Sequence, residues 1–303
     1  KKKMLGFYAV PVCFKFIVFI YNQGSIDNKR VIRYNIKKGW MWLFMADWNS
    51  SQYLKFKSER TLPSVDLISR IKLSASPCKI LDIGCGPGNS SAELKKAFPN
   101  AYVLGIDSSE NMIDEARSSC CGIDFCLFNA ENDISELGRD FDLVFSNACI
   151  QWIPDHEVLL GNMLSCLKSG GMLAVQTPMN YDEPIHKIIN ETVGESRWKN
   201  RFAHSRIFYN LTQEEYFDIL SSLSKDFSLW STTYFHVMNS HNDIMEWYKA
   251  TGLKPWLEQL QDVNELAEFE NEVLEKVKKA YPVQKNGQII FRFPRFFFTA
   301  VKN

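Results

Sequence analysis

The chain has 303 residues, of which 46% are hydrophobic and 23% charged, so it can bury a large apolar core. Its 35 basic and 35 acidic residues cancel, and a net charge of zero argues against a nucleic acid as partner. The eight cysteines include no C-x-x-C pair, so we expect no metal site and reduced, buried thiols.

The amino end combines a lysine start with an apolar stretch that Pro11 and Lys15 interrupt. A signal peptide or a membrane anchor is one interpretation, but no small-residue cleavage site follows the stretch. Met45 directly precedes ADWNSSQY, where a clearer organisation begins. We therefore expect residues 1–44 to be translated upstream sequence and the protein to be cytoplasmic.

The stretch ILDIGCGPGNSS predicts a buried strand, a glycine-rich turn and the start of a helix that Asn89, Ser90 and Ser91 can cap. Its G-x-G-x-G spacing differs from the G-x-G-x-x-G of dinucleotide sites, which argues against NAD or FAD. Asp82 would place a carboxylate beside the ligand, which disfavours a phosphate. The sulfonium and ammonium groups of S-adenosylmethionine suit this carboxylate better.

Two further strands end at residues suited to a nucleoside. Residues 101–106 end at Asp107, a carboxylate that can accept hydrogen bonds from both ribose hydroxyls. Residues 123–128 lead into the loop 129–132, where a side-chain acceptor can meet the adenine amino group. The turn and these strand ends together predict a cofactor site.

The remaining strands complete the predicted architecture. A fourth strand at 141–145 leads into Ser146-Asn147-Ala148, and a fifth ends at Val175. Strands that alternate with helical patterns predict βαβ units and a parallel sheet that binds ligands at its carboxyl ends. Beyond Val175 the alternation stops. Helices are predicted at 181–225 and 241–281, with strands at 226–238 and 288–301.

Four stretches resemble class I S-adenosylmethionine-dependent methyltransferases: ILDIGCGPGNSS, GIDSSENMIDEA, FDLVFSNACIQWIPDH and LKSGGMLAVQTP. Four others resemble the bacterial trans-aconitate 2-methyltransferase family: DWNSSQYLKFKSERTLP, QWIPDH, TGLKPWL and NGQIIFRFPRFF. The resemblance implies a Rossmann-like, doubly wound α/β fold. Its seven-stranded sheet would be mostly parallel, with the last strand antiparallel, and would carry a helical cap. Residues 45–177 would form the cofactor-binding core with an amino-terminal lid. Residues 178–303 would form the substrate cap and the last two strands.

The predicted S-adenosylmethionine site combines turn, strand-end and loop positions: Asp82, Gly84, Cys85, Gly86, Asp107, Ser108, Met112, Ala130, Glu131 and Asn147. Trp48 and Tyr53 are expected to close over the cofactor as a lid, with packing in the core as the alternative. Glu131 stands where the family more often has aspartate, yet it keeps an acceptor.

Methyl transfer to a carboxylate needs no general base, because a carboxylic acid of pKa near ~4 is already ionised at neutral pH. A tricarboxylate has two further carboxylates that need cations or donors in a closed pocket, and arginine suits them best. The substrate-positioning candidates are Arg295, Gln151, Trp152, His186 and Arg292. For Arg295 the alternative is a surface ion pair. Met179 stands where an acidic residue is expected, which keeps other acids open as substrates.

Three hypotheses stay open. The first is methylation of trans-aconitate to its monomethyl ester. The second is methylation of another small carboxylic acid or of a carrier-bound acyl chain, which predicts a longer apolar groove with a basic rim. The third is a cofactor-binding protein without transfer activity. We expect a small tricarboxylate as partner, no nucleic acid and no membrane, and a monomer is compatible with the sequence.

Overall fold

The computed structural model describes residues 11–12, 15–16, 57–73, 75–203, 208–249 and 251–303. The chain divides into two units, Lys1–Met45 and Ala46–Asn303. In the first unit, Pro11–Val12 and Lys15–Phe16 pair as short antiparallel strands. The rest of residues 1–44, and the predicted lid residues Trp48 and Tyr53, lie outside the described residues. Within the described ranges, no helix combines the length and the apolar character needed to cross a membrane.

A seven-stranded sheet organises the second unit. In chain order its strands are β1 (Lys79–Ile83), β2 (Tyr102–Asp107), β3 (Asp124–Leu127), β4 (Phe141–Asn147), β5 (Leu167–Pro178), β6 (Phe227–Met238) and β7 (Ile289–Val301). The spatial order is β3-β2-β1-β4-β5-β7-β6, and only the two pairings made by β7 are antiparallel. The predicted Rossmann-like sheet, mostly parallel with its last strand antiparallel, is confirmed.

Helices connect and cover the strands. They are α1 (Lys57–Ser69), α2 (Asn89–Ala97), α3 (Glu110–Ser119), α4 (His156–Ser165), α5 (Pro184–Gly194), α6 (Gln213–Leu223), α7 (His241–Lys249), α8 (Lys254–Leu257) and α9 (Val263–Ala280). Short polar side chains cap several helix starts: Ser109 caps α3, Asp155 caps α4, Thr212 caps α6, and Asp262 caps α9.

Alternation along β1 shows why the sheet is covered on both faces. Leu81 packs in the cluster formed by α4 and α6, whereas Ile80 packs in the cluster that includes Leu67 of α1 and Leu94 of α2. All four of these side chains have no exposed surface. Because successive side chains of a strand point to opposite faces, a strand whose consecutive residues Ile80 and Leu81 are both apolar must be buried on both sides.

Part of the cap is an extension of two strands of the sheet, β6 and β7. The pairing of β5 with β7 ends where Pro178 lies opposite Arg295, but β6 and β7 stay paired as far as Met238 and Ile289. The resulting two-stranded extension, residues 233–238 and 289–294, is called the cap ribbon below. Its inner face packs with α5, α7 and α9 around an aromatic cluster. Helix α6, predicted as part of the cap, instead packs on the sheet through Tyr216 and Leu220.

Candidate active site

The glycine-rich turn after β1 forms a cradle at the carboxyl edge of the sheet. The backbone amides of Gly84 and Cys85 donate to the carbonyl of Ile106, at 2.8 and 2.9 Å, and tie the turn to β2. Gly84 and Gly86 have φ of 73° and 54°, which favour glycine. A Cβ on Gly84 would lie 2.2 Å from the Cys149 sulfur. A Cβ on Gly86 would meet no described atom within 4 Å, so this side of the turn is open for a ligand.

Asp107 joins the turn to the start of α3. Its Oδ2 accepts from the backbone amide of Gly86 at 3.0 Å, and its Oδ1 accepts from that of Ser109 at 2.9 Å. Burial raises the pKa of this carboxyl, whereas the backbone donors oppose the rise. Each carboxylate oxygen can accept a second hydrogen bond, so Asp107 keeps the capacity to bind a ribose. Ser108, the next residue, is exposed beside it.

Asp82 lies beneath the turn with no exposed surface. Its Oδ2 accepts from the hydroxyls of Ser90 and Ser91, at 2.7 and 2.6 Å. The predicted capping of α2 by these serines is therefore wrong, because their hydroxyls are used by Asp82 and the capping residue is Gly88. Oδ1 is buried and has no hydrogen-bond partner among the described residues. Burial, and to a lesser extent the charge of Asp107, raises the pKa of Asp82 to about 6.

Cysteines near the turn act as packing groups. Cys85 is 3% exposed. Burial, and to a lesser extent the charge of Asp82, raises the pKa of its thiol well above the usual range. Burial likewise raises the pKa of the Cys149 thiol. Both thiols therefore stay protonated and unreactive at neutral pH. The expectation that all cysteines are buried is wrong for Cys78 and Cys121, which are exposed.

The remaining predicted cofactor residues lie on α3, in the loop after β3 and at the end of β4. Met112 on α3 is buried, Ala130 is half-buried, and Glu131 is exposed in the loop after β3. Asn147 ends β4, and its Oδ1 is buried with no hydrogen-bond partner within the described ranges. The loop after β3 is fixed to β2 because the amide of Phe128 donates to the carbonyl of Asp107 at 2.9 Å.

Gln151 lies in a short 3₁₀ turn, Ile150–Trp152, that follows β4. Its side-chain amide is used within the protein: Nε2 donates to the carbonyl of Ala148 at 2.7 Å, and Oε1 accepts from the hydroxyl of Thr177 at 3.2 Å. Asn210 donates to the same hydroxyl at 2.9 Å. Gln151 thus connects the turn to the end of β5, and Trp152 beside it contacts the ring of Phe208.

His186, a predicted candidate, belongs to a polar group whose other members, Tyr248 and Asn180, were not identified from the sequence. Its Nε2 lies 3.1 Å from the hydroxyl of Tyr248, which also accepts from the side-chain amide of Asn180 at 3.1 Å. Both of these partners are buried. Tyr248 lies on α7, and Asn180 lies just beyond the end of β5. A hint existed in the sequence, since Gln176 and Asn180 are polar residues within and just after an apolar strand.

The two candidate arginines of β7 are placed on opposite faces. Arg295 is 5% exposed, so the alternative of a surface ion pair is wrong. Its Nη1 donates to the Oε1 of Gln176 at 3.4 Å, and its guanidinium lies 4.3 Å from the centre of the Phe293 ring. Arg292 is exposed, and its Nε lies 3.5 Å from a carboxylate oxygen of Glu183. The structure therefore brings Arg295, and not Arg292, to the end of β5.

The fold is similar to that of known proteins. A family model described as a methyltransferase domain matches residues 74–252. The YcgJ protein of Bacillus subtilis is 16% identical, with a TM-score of 0.51, over 80% of this chain and 99% of that one. Haemonchus contortus phosphoethanolamine N-methyltransferase 2, solved with S-adenosylhomocysteine, is also 16% identical, with a TM-score of 0.50, over 85% of this chain and 58% of that one. The protein is a methyltransferase, an enzyme whose cofactor is S-adenosylmethionine.

Curated relatives identify a particular family of methyltransferases. Trans-aconitate 2-methyltransferase of Enterobacter sp. (strain 638) is 42% identical over 258 residues, which cover 84% of this chain and 98% of the relative. The enzyme of the same name from Escherichia coli O157:H7 is 41% identical over 256 residues, with the same coverage. The chain belongs to the trans-aconitate 2-methyltransferase family.

Proposed function

We propose that the enzyme transfers the methyl group of S-adenosylmethionine to one carboxylate of trans-aconitate, giving the monomethyl ester and S-adenosylhomocysteine. The names of its relatives support this substrate. The observation that carries the proposal is the buried Arg295, which lies where β5 ends and the cap ribbon begins. A buried cation at the carboxyl edge of the sheet suits an anionic acceptor.

The cofactor fits the residues around the turn. The open space above Gly86 admits a ligand against the backbone, and Asp107 keeps acceptor capacity for the ribose hydroxyls. Asp82 and Asn147 each have a buried oxygen with no hydrogen-bond partner among the described residues, and these oxygens offer acceptors to the positive methionine part and its neighbourhood. When bound, S-adenosylmethionine supplies an electrophilic methyl group on a sulfonium.

The protein's task is to hold the acceptor rather than to activate it. A carboxylate is ionised at neutral pH, so no residue has to remove a proton. Alignment of oxygen and methyl group can contribute roughly 7 to 11 kcal/mol, because well-oriented reactants reach high effective molarities. The residues proposed for this alignment are Arg295, the Gln151–Trp152 turn and His186.

Arg295 would bind one of the carboxylates that does not react. Its planar guanidinium can donate two parallel hydrogen bonds to a carboxylate. Gln176 lies beside it with a buried Nε2 that has no hydrogen-bond partner in the described part of the chain, so this amide is a second donor for the same anion. Together they offset the loss of water that a tricarboxylate suffers in a closed pocket.

We further propose that one part of the chain binds the cofactor and the other covers the substrate, as the sequence suggested. Residues 45–177 would hold the cofactor, and residues 178–303 would supply β6, β7 and the substrate cap, of which α6 is not a part. Asp82 and Asp107 lie in the first part, and Arg295 and His186 lie in the second. We propose that the enzyme is cytoplasmic and acts on a small acid. The zero net charge agrees with the absence of a nucleic-acid partner. A monomer suffices for this chemistry.

Product formation from labelled S-adenosylmethionine tests the substrate. The acids offered are trans-aconitate, cis-aconitate, citrate, isocitrate and a fatty acyl carrier. We expect preferential, base-labile labelling of trans-aconitate, because an ester is the product. Preferential labelling of another acid would reject this substrate and favour the second hypothesis. Cofactor binding without labelling of any acid would support the third.

A further inference from the structure

His156 is a buried histidine that the proposed reaction does not use. It is the first residue of α4 and is 2% exposed. Its Nε2 lies 2.9 Å from the carbonyl of Ile150 and 3.0 Å from that of Ile153, at the two ends of the 3₁₀ turn. Its Nδ1 lies 2.7 Å from the hydroxyl of Tyr216 on α6. The side chain therefore connects α6 to the turn that carries Gln151 and Trp152.

The geometry fixes the tautomer of this ring. Carbonyl oxygens only accept hydrogen bonds, so Nε2 must carry the proton that it shares between Ile150 and Ile153. Nδ1 is then bare and accepts from the Tyr216 hydroxyl. Burial lowers the pKa of His156, which keeps the ring neutral at physiological pH.

The turn held in this way presents candidate substrate groups. Gln151 bridges Ala148 and Thr177 through its side chain, and its carbonyl accepts from the amide of Tyr209 at 3.0 Å. Without the His156 proton, the carbonyls of Ile150 and Ile153 would lose a buried donor. The turn would then relax, and Trp152 would move relative to the end of β5.

We propose that His156 is a positioning residue that holds the Gln151–Trp152 turn in the orientation needed to bind the substrate acid. Tyr216 is its partner, because the phenol hydroxyl keeps the proton on the ring nitrogen that faces the turn. This inference rests on the proposed function, since the acid bound at the turn is the proposed substrate. It requires no proton transfer to or from the substrate.

A matched pair of substitutions tests the role. In His156→Gln the amide nitrogen reaches the position of Nε2 and can still donate to the turn, whereas His156→Asn ends near the position of Nδ1 and cannot. We expect His156→Asn to raise KM for trans-aconitate by about tenfold or more, with the Kd for S-adenosylmethionine within about twofold. His156→Gln should restore KM to within about threefold of the wild-type value.

Two further variants separate positioning from general stability. Tyr216→Phe keeps the ring that packs against Phe296 and Phe298 but removes the hydroxyl, and should raise KM by about threefold or more. Thr212→Ala weakens the start of α6 without touching this hydrogen-bond chain, and should leave KM unchanged. The Tyr216 variant still tests the positioning role of His156 if neither His156 variant folds.

The outcomes are distinct. Equal KM increases in His156→Asn and His156→Gln, an unchanged KM in Tyr216→Phe, or a KM increase in Thr212→Ala that matches its loss of Tm would each overturn the positioning role. Failure of the wild-type enzyme to methylate trans-aconitate would instead overturn the substrate assignment, and this proposal with it.

Discussion

Arg292 and Arg295 show how far the environment of a single residue decides its role. They are three positions apart on β7, so their side chains point to opposite faces of the strand. Arg292 is exposed beside Glu183, whereas Arg295 is buried against Phe293 and Gln176. Sequence reasoning proposed both as substrate ligands, and the structure distinguishes them through burial.

Substitution by lysine should separate the two arginines. We expect Arg295→Lys to raise KM for trans-aconitate by roughly tenfold to a hundredfold, because an ammonium cannot form the two parallel hydrogen bonds of a guanidinium. Arg292→Lys should change KM by less than about threefold, because exposed ion pairs contribute little. Steady-state kinetics with both substrates, together with calorimetric binding of the cofactor, would measure this. A loss of cofactor affinity in Arg295→Lys would show a structural role instead.

Asp82 predicts a pH dependence of cofactor binding. Its pKa of about 6 in the free protein exceeds the ordinary value of 3.8, and a bound cation would favour the ionised form and lower the pKa. The free protein then holds more protons than the complex below about pH 6. Affinity for S-adenosylmethionine should therefore rise with pH through this range and level off above about pH 7. The free protein shows the opposite trend: the stability that Asp82 contributes is present at low pH and lost as pH rises through about 6.

Calorimetric titration between about pH 5 and about pH 8 measures this step, with Asp82→Asn as the control. Asp107 also has a raised pKa, so only the part of the pH dependence that disappears in Asp82→Asn belongs to Asp82. An identical pH profile in the variant would remove Asp82 from the binding site.

At the scale of elements, α6 begins with a complete capping box. The hydroxyl of Thr212 accepts from the amide of Glu215 at 3.2 Å, and the Glu215 carboxylate accepts from the amide of Thr212 at 2.7 Å. Helix α6 matters beyond its own stability, because it carries Tyr216 to His156. The cap therefore contributes to the stability of the helix, whereas the contact with the distant turn is made by the Tyr216 hydroxyl and not by the cap.

Removal of this cap gives a stability prediction. Thr212→Ala should lower the free energy of unfolding by about 1 kcal/mol, because one amide at the helix start loses its acceptor. For a domain of this size that corresponds to a fall in Tm of about 2 to 4 °C. Thermal unfolding followed by circular dichroism would measure it. No change in Tm would mean that water replaces the hydroxyl at no cost.

The difference between the two halves of the site explains what the sequence could reveal. The cradle is local: Gly84, Gly86 and Asp107 follow directly on strands whose apolar patterns are easily recognised. The acceptor side is assembled from distant elements, and no spacing in the sequence indicates that Tyr248 meets Asn180. Burial was also invisible at the sequence level, so Arg295 and Arg292 looked alike. The parallel part of the sheet was predictable because strands that alternate with helices form βαβ units.

On the scale of the whole molecule, cofactor binding should stabilise the fold. At a concentration one hundred times Kd, a ligand that binds only the folded state adds about 2.7 kcal/mol, which corresponds to roughly 5 to 11 °C in Tm. Asp107→Ala should abolish most of this shift, because the loss of a charged acceptor weakens binding by about 2 kcal/mol or more. Differential scanning fluorimetry at a fixed cofactor concentration would compare the two proteins. A full shift in the variant would contradict the ribose role of Asp107.

Strand β7 has a consequence for folding kinetics. It is the last of the seven strands along the chain, yet it lies between β5 and β6 in the sheet. Until it inserts, both neighbours have an open row of backbone amides and carbonyls, which is a template for pairing with other molecules. Contacts between segments so distant in the chain form slowly, because the intervening chain must be closed into a loop first. Refolding yield should therefore fall as protein concentration rises, since self-association of the open sheet competes with the arrival of its last strand.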